Sequence, residues 1–313
     1  MPRTVSVVIA TYRRPDVLPG CLEALERQRL RPSEVIVVDQ SPDSSTRELV
    51  TVRRGSGYEL RYVHSDAAGV SLARNIGWRL ARGEIVAYTD DDAVPDPGWI
   101  EAIVEAFEST PADMVGGRIL PLWEGGTPPT WFPSSRDYLL AIYDPGGRLA
   151  PFPEVSLPMT VNAAITRRKL ESLGGFNERI GARPGWPVTG EDSLLGWRVR
   201  ETGGRIYYQP DALVYHRVSR SRMQRRFLVR RAYLEGVCLV DVEDKRGLLT
   251  PERLAGMKRH HRRNARREIL RALGRVWRMP WNDPKFIGQL AEVALSRGIV
   301  DGCRRLEQEN GTT

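Results

Sequence analysis

Cysteine is scarce in this chain: three residues in 313, Cys21, Cys238 and Cys303, stand too far apart for a metal-ligand motif and are too few for a disulfide framework. That usage fits a reducing compartment. Long hydrophobic runs are missing as well, and no apolar segment approaches the roughly 20 residues that span a bilayer. The opening Met1-Pro2-Arg3-Thr4, followed by Val5-Ser6-Val7-Val8-Ile9, is too short and too strand-like for a secretory signal. A cytoplasmic protein is the expectation. The glycine fingerprints that cradle phosphates are absent: no P-loop pattern occurs, and the first strand-to-helix turn lacks the glycines of a dinucleotide fold. Dehydrogenases and ATPases of those types are therefore disfavoured. Internal repeats and low-complexity tracts are not apparent either.

What is present is an alternation. Val5 to Ile9, Val35 to Val38 and Ile85 to Tyr88 are short β-branched runs, the pattern of strands covered on both faces, with Leu60 to Val63 a weaker example. Between them lie helical periodicities, Val17, Leu18, Cys21, Leu22 and Leu25, then Ala73, Ile76, Gly77, Leu80 and Ala81. Pro15 is placed to begin the first helix and Gly83 to terminate the later one. A further helix carries Trp99, Ile100, Ile103, Val104 and Phe107. Strand, helix, strand, helix predicts an α/β fold with a mostly parallel central sheet flanked by helices.

The run Asp90-Asp91-Asp92 directly follows one of these strands. Three adjacent carboxylates repel one another, and at the mouth of a sheet they call for a cation or a hydrogen-bonding ligand. Taken alone, the triplet also fits a solvated turn. Ligands of open α/β sheets bind beyond the carboxyl ends of the strands, so Asp39, ending one strand, and Asp90, ending another, are predicted to face one crevice. Thr11, Tyr12 and Arg13 bring a hydroxyl, an aromatic face and a cation to the same edge.

In order along the chain, Ser6 to Arg13, Val35 to Asp39, Ser71 to Gly77, Asp90-Asp91-Asp92, Gly174-Gly175-Phe176-Asn177-Glu178 and Gly190-Glu191-Asp192 resemble the family 2 glycosyltransferases of the GT-A fold, over roughly residues 4 to 216. The resemblance implies a nucleotide-diphospho-sugar donor carrying UDP, dTDP or GDP and an inverting displacement at its anomeric carbon. Carried over by position, Thr11, Tyr12, Arg13 and Asp39 would meet the base and ribose, Arg74 would sit near the nucleotide, and Asp90 and Asp91 near the ribose and pyrophosphate. Asp92 matches the last acid of the D-x-D signature and is the expected ligand of Mn²⁺ or Mg²⁺, with His216, ending Leu213-Val214-Tyr215-His216, as a second metal ligand or a structural histidine.

The acceptor, a carbohydrate, lipid-linked or small-molecule hydroxyl, needs a base to take its proton. Asp192 and its neighbour Glu191 stand at the start of a helix marked by Leu194, Leu195, Trp197 and Val199, where local sequence alone also permits simple capping. The resemblance assigns Asp192 as base and Glu191 beside it toward the acceptor. Trp123, Trp131 and Trp186 could stack on sugar rings or belong to the core. Two features differ from many relatives: Asp39 is followed by Gln40-Ser41-Pro42-Asp43 rather than a second acid, glycine and serine, and the motif of processive synthases is missing. Transfer of a single sugar is expected.

The expected organisation is a catalytic domain over 1–220, its nucleotide-sugar half near 1–118 and its acceptor half near 119–220, then a basic helical region over 221–313. The segment from Gly125 to Pro158 reads as a specificity element, and Asn162 to Ile165 as a strand. Arginines crowd residues 217 to 231, and a second basic run, Lys258 to Arg267, precedes Ile269, Leu270, Leu273, Val276 and Trp277 at helical spacing, predicting basic amphipathic helices packed on the catalytic domain. Residues 304–313 read as a frayed terminus. The whole chain carries a formal net charge of +8, and this basic region is suited to a peripheral contact with the inner membrane face, or to solvation alone. A nucleotidyltransferase would use a basic glycine-rich loop near the first strand, which is missing. A nucleic-acid-binding protein would explain the arginines but not the acidic cluster.

Overall fold

The computed structural model describes residues 3–53, 57–276 and 282–311. The chain divides into two compact units, the first made of Met1–Pro121, Tyr143–Gly185 and Glu191–Arg217, the second of Leu122–Ile142, Trp186–Gly190 and Val218–Thr313.

The first unit opens with β1 (Val5–Thr11), α1 (Leu18–Glu26), β2 (Glu34–Asp39), α2 (Ser45–Val52), β3 (Glu59–His64), α3 (Val70–Leu80) and β4 (Ile85–Asp90). It continues with β5 (Ala93–Pro95), α4 (Trp99–Ser109), β6 (Met114–Trp123), β7 (Ala150–Pro151), β8 (Asn162–Thr166), α5 (Arg167–Leu173), α6 (Glu191–Glu201) and β9 (Ile206–Val218), with the last residues of β6 and β9 entering the second unit. The strands form one sheet in the order β3-β2-β1-β4-β8-β6-β9-β5, with β7 on β9. Pairs β2–β3, β1–β2 and β1–β4 are parallel, the crossovers being supplied by α1, α2 and α3. β4–β8, β6–β8, β5–β9 and β7–β9 are antiparallel. One half of the sheet is thus parallel, and antiparallel pairs close the other half.

Strand order turns at β1, where the chain passes from β2 and β3 on one side to β4 on the other. Register there is tight: Thr11 lies opposite Asp39, and Ala10 opposite Asp90. All three strands therefore deliver their last residues to the same edge, the switch point of an open α/β sheet.

The buried face of the sheet is filled by Val8, Ile36, Val38, Val86, Tyr88 and Ile165, with Ala73, Trp78, Phe176 and Leu195 from the covering elements. Close approach is specified by glycine. A Cβ on Gly77 would collide with Val8, and Gly175, at φ +78°, would collide with Asn75 and Trp78. Two local expectations are corrected. Helix α1 begins at Leu18 with a proline in its first two positions, Pro19, so Pro15 lies outside it. Helix α3 ends at Leu80 with Ala81 as its cap, and Gly83 serves the sheet: its N–H donates to Ser6 Oγ at 2.8 Å, and a Cβ there would press on Ser6 N.

The second unit comprises a 3₁₀ helix (Ser134–Leu140), α7 (Arg225–Lys245), α8 (Pro251–Val276) and α9 (Pro284–Gly311). Helices α7 and α9 meet backbone to backbone through Gly236 and Gly298, where added side chains would strike Leu295 and Tyr233 carbonyls. Residues 304–309, expected to fray, are helical, because the spacing Ile299, Cys303, Leu306 keeps an apolar face buried with Val240 and Leu254. Helix α8 departs differently. Ile269, Leu270 and Leu273, expected to pack, are 43%, 69% and 58% exposed, and the packed positions are Leu254 and Ala272 instead. Trp277 lies outside the described residues, as does the Val276 side chain. No described helix is long and apolar enough to cross a membrane.

Two glycine substitutions should move stability in opposite directions. Gly298→Ala forces α7 and α9 apart and is expected to cost about 1–3 kcal/mol. Gly256→Ala, in helix α8 with open space around it, is expected to add about 1 kcal/mol by helix propensity. Urea midpoints of the two variants check this.

Candidate active site

The turn after β1 is held in an unusual shape. Arg13 adopts a left-handed φ of 54°, and its N–H donates to Ser41 Oγ at 2.7 Å, tying the first turn to the one after β2. Tyr12 is about one-third exposed, with the Arg13 guanidinium 5.3 Å from its ring centre. Asp39 is fully buried and accepts from Tyr62 Oη and Ser41 N, both at 2.9 Å. Gln40 bridges Ala67 O at 2.6 Å and Gly69 N at 3.0 Å, so it fixes the loop that leads into α3.

The three acids at the end of β4 part company. Asp91 turns inward, accepting from Thr11 Oγ1 at 2.7 Å and Arg14 at 2.6 Å. Burial pushes its carboxyl up to about 7; Arg14 and Thr11 oppose the rise, and Asp92 and Asp90 add to it. Asp92 is buried between the Arg14 guanidinium at 2.6 Å and His216 Nε2 at 3.4 Å. Asp90, one-third exposed, meets Arg74 at 3.2 Å. One oxygen of Asp90, one of Asp92 and one ring nitrogen of His216 all lie within 4.8 Å of one another. His216 reaches that place because β9 pairs with β5, the short strand after the triplet, in a register that sets it opposite Ala93. Two carboxylates and an imidazole are donors that a divalent cation such as Mn²⁺ accepts, and their spacing fits one ion.

On the other side, α6 starts with Glu191 and Asp192 in its first turn. Arg74, 5% exposed, reaches Glu191 Oε1 at 2.6 Å and so joins this helix to Asp90. Burial would lower the pKa of Arg74, but Glu191, Asp90 and Asp192 outweigh it and hold the cation firmly charged. Glu191 Oε2 is buried and has no hydrogen-bond partner among the described residues. Asp192 is half-buried, accepting from Ser193 N at 2.7 Å. The Arg74 guanidinium lies 5.8 Å from the centre of the Phe176 ring, which meets Tyr88 edge-on. Asn75 locks that arrangement: its Oδ1 accepts from Phe176 N, and its Nδ2 donates to Phe176 O and Glu178.

Every expected donor, metal and catalytic residue thus lies in the first unit, with Thr11, Arg74, Asp90, Asp91, Asp92, Glu191 and His216 linked by direct contacts, by shared ligand distance or through Arg14. Asp90 joins the candidate metal ligands as well as the donor side. Trp123, Trp131 and Trp186 belong to the second unit; Trp123 and Trp131 pack at Phe132, and Trp186 lies beneath the Arg305 guanidinium. Sequence reading missed Arg14, which pairs with two of the three acids. Its one signal was a second arginine beside Arg13. Burial would lower its pKa, and Asp91 and Asp92 raise it.

Comparison with known proteins agrees with this architecture. The model of glycosyl transferase family 2 matches residues 6–174. A glucosyl-dolichyl phosphate glucuronosyltransferase of Haloferax volcanii is 29% identical over 239 residues, 74% of this chain and 75% of its own length. A pre-mycofactocin glycosyltransferase of Mycobacterium tuberculosis is 31% identical over 237 residues, 75% of this chain; the chain spans less than half (46%) of that relative. Among solved structures, the mannosyltransferase PcManGT of Pyrobaculum calidifontis, in complex with GDP-Man and Mn²⁺, superposes with a TM-score of 0.55 at 19% identity, covering 100% of this chain and 76% of its own. With the motifs, the switch-point site and the matched segment in agreement, the chain belongs to glycosyl transferase family 2 and is a glycosyltransferase of the GT-A fold.

Proposed function

We propose that this glycosyltransferase moves a single sugar from a nucleotide-diphospho-sugar to a hydroxyl acceptor with inversion at the anomeric carbon. The observation that carries the reading is the convergence of Asp90, Asp92 and His216 within 4.8 Å at the sheet's switch point, joined through Arg74 to the acidic start of α6. The GDP-Man and Mn²⁺ in the Pyrobaculum neighbour support a donor of this class, and the Haloferax relative, named for a glucosyl-dolichyl phosphate, keeps a lipid-linked acceptor in view.

In this reading Tyr12 recognises the base by stacking, with Thr11 and Arg13 along the ribose, and Asp39 accepts a hydrogen bond from the base once Tyr62 Oη gives up its Oδ2 and uncovers it. Asp90, Asp92 and His216 hold a divalent cation, which supplies Lewis-acid neutralisation of charge on the leaving nucleoside diphosphate. Asp192 takes the proton of the acceptor hydroxyl as its oxygen bonds to the anomeric carbon and the carbon–oxygen bond to phosphate breaks. Asp192 stands in the first turn of α6, where a helix N-terminus favours negative charge. Arg74 positions Glu191 beside it.

Two measurements bear on this. In a thermal-shift panel, one nucleotide-diphospho-sugar with Mn²⁺ should stabilise the protein by about 2.7 kcal/mol at a hundredfold excess over its Kd, and Asp92→Asn should lose the Mn²⁺-dependent part. No shift with any donor would contradict the reading. Separately, Asp192→Asn should lower turnover by about 10²–10⁴-fold while donor affinity measured by calorimetry stays within about threefold. Turnover near wild type would remove Asp192 from its role.

A further inference from the structure

Helix α8 (Pro251–Val276) presents two faces of opposite character. One is buried within the second unit through Leu254, Glu268 and Ala272. The other carries Arg259, Arg262, Arg263, Arg266, Leu270 and Leu273 at the three- and four-residue spacing of a single helical stripe, with Ile269 at its margin. All of these residues are exposed. Among the described residues, no carboxylate pairs with Arg259, Arg262, Arg263 or Arg266, unlike Arg267 and Arg271, which lie near Glu268. The arginines fill the first turns of the stripe, and the aliphatic residues fill its last two.

We propose that this face of α8 docks the enzyme on an anionic lipid bilayer, the guanidinium groups meeting lipid phosphates and Leu270, Leu273 and Ile269 entering the boundary of the acyl chains. The helix lies in the interface plane rather than crossing it, as its charge content requires. Three features select this partner. Unpaired guanidiniums call for a dense array of negative charge. Leucines exposed at 69% and 58% call for an apolar phase beside that array, which the sugar-phosphate backbone of a nucleic acid does not offer. A second copy of the same face would bring like charges together, which disfavours self-association. Arginine stems lying along the surface extend the apolar contact while their heads stay at the phosphates.

Cosedimentation tests the proposal, with vesicles of phosphatidylcholine alone and of phosphatidylcholine mixed with phosphatidylglycerol. The wild-type protein should sediment with the mixed vesicles far more than with the neutral ones, and rising NaCl should release it. Arg262→Gln and Arg266→Gln should each weaken binding about fivefold, the equivalent of about 1 kcal/mol per basic group. Leu270→Gln with Leu273→Gln should weaken it about tenfold or more. Both leucines are exposed, so the thermal melt and circular dichroism of that variant should match wild type, separating lost docking from lost fold. Absence of wild-type binding to the mixed vesicles, or a leucine variant that binds them like wild type, would overturn the proposal. Tight, salt-sensitive binding of duplex nucleic acid that depends on the arginines but not the leucines would reassign the face to nucleic acid. A dimer in sedimentation velocity that the leucine variant dissolves would reassign it to self-association.

Discussion

A single buried guanidinium organises the site. Arg74 projects from α3 between Asp90, at the end of a parallel strand, and Glu191, at the start of α6, so two segments more than a hundred residues apart are joined through one cation. Removing one partner from such an arrangement leaves an uncompensated charge in a poorly hydrated place, which is far more costly than the net worth of the contact. The surroundings enforce its position. Phe176 lies near the guanidinium, Asn75 on the same helix holds the Phe176 backbone from both sides, and Gly175 leaves the room that this hydrogen bonding needs. The motifs around Arg74-Asn75 and Gly174-Gly175-Phe176 are therefore one mechanical unit.

Three consecutive aspartates coexist because only the first of them depends on Arg74. Each carboxylate has its own set of neighbours, Arg74 for Asp90, Thr11 and Arg14 for Asp91, and Arg14 with His216 for Asp92, with Arg14 shared by the last two. A solvated turn, the plain alternative for such a triplet, would leave all three exposed, whereas Asp91 and Asp92 are each 3% exposed. The acidic run marks the point where strand order reverses, and its field is divided among Arg74, Arg14, Thr11 and His216.

The parallel half of the fold was legible because β1, β2 and β4 are apolar on both faces and contrast with the helices between them. The site was legible because its acids fall at strand ends and one helix start. Other features left little trace. Strand β5 has three residues, too few for any period, yet its pairing with β9 is what brings His216 to Asp92. Arg14 reads as one more surface arginine until the two carboxylates it meets are known. The second unit draws Leu122–Ile142 and Trp186–Gly190 from within the N-terminal two thirds, a long-range choice that local propensity does not encode. In the last helix the period Ile299, Cys303, Leu306 was present, but a polar tail hid it. Helix α8 misled for a different reason: its apolar stripe is real, and periodicity does not say whether a stripe turns to a core or to the outside.

The proposed chemistry depends on Asp90, Asp92 and His216 acting as one ligand set for a cation beside a nucleoside diphosphate. Crystals grown with Mn²⁺ and a nucleoside diphosphate, measured near the manganese absorption edge, test that most directly. The account predicts one anomalous peak in direct contact with Asp90, Asp92 and His216 and with the diphosphate oxygens. Bound nucleotide with the peak elsewhere, or with no peak beside those three side chains, would contradict it.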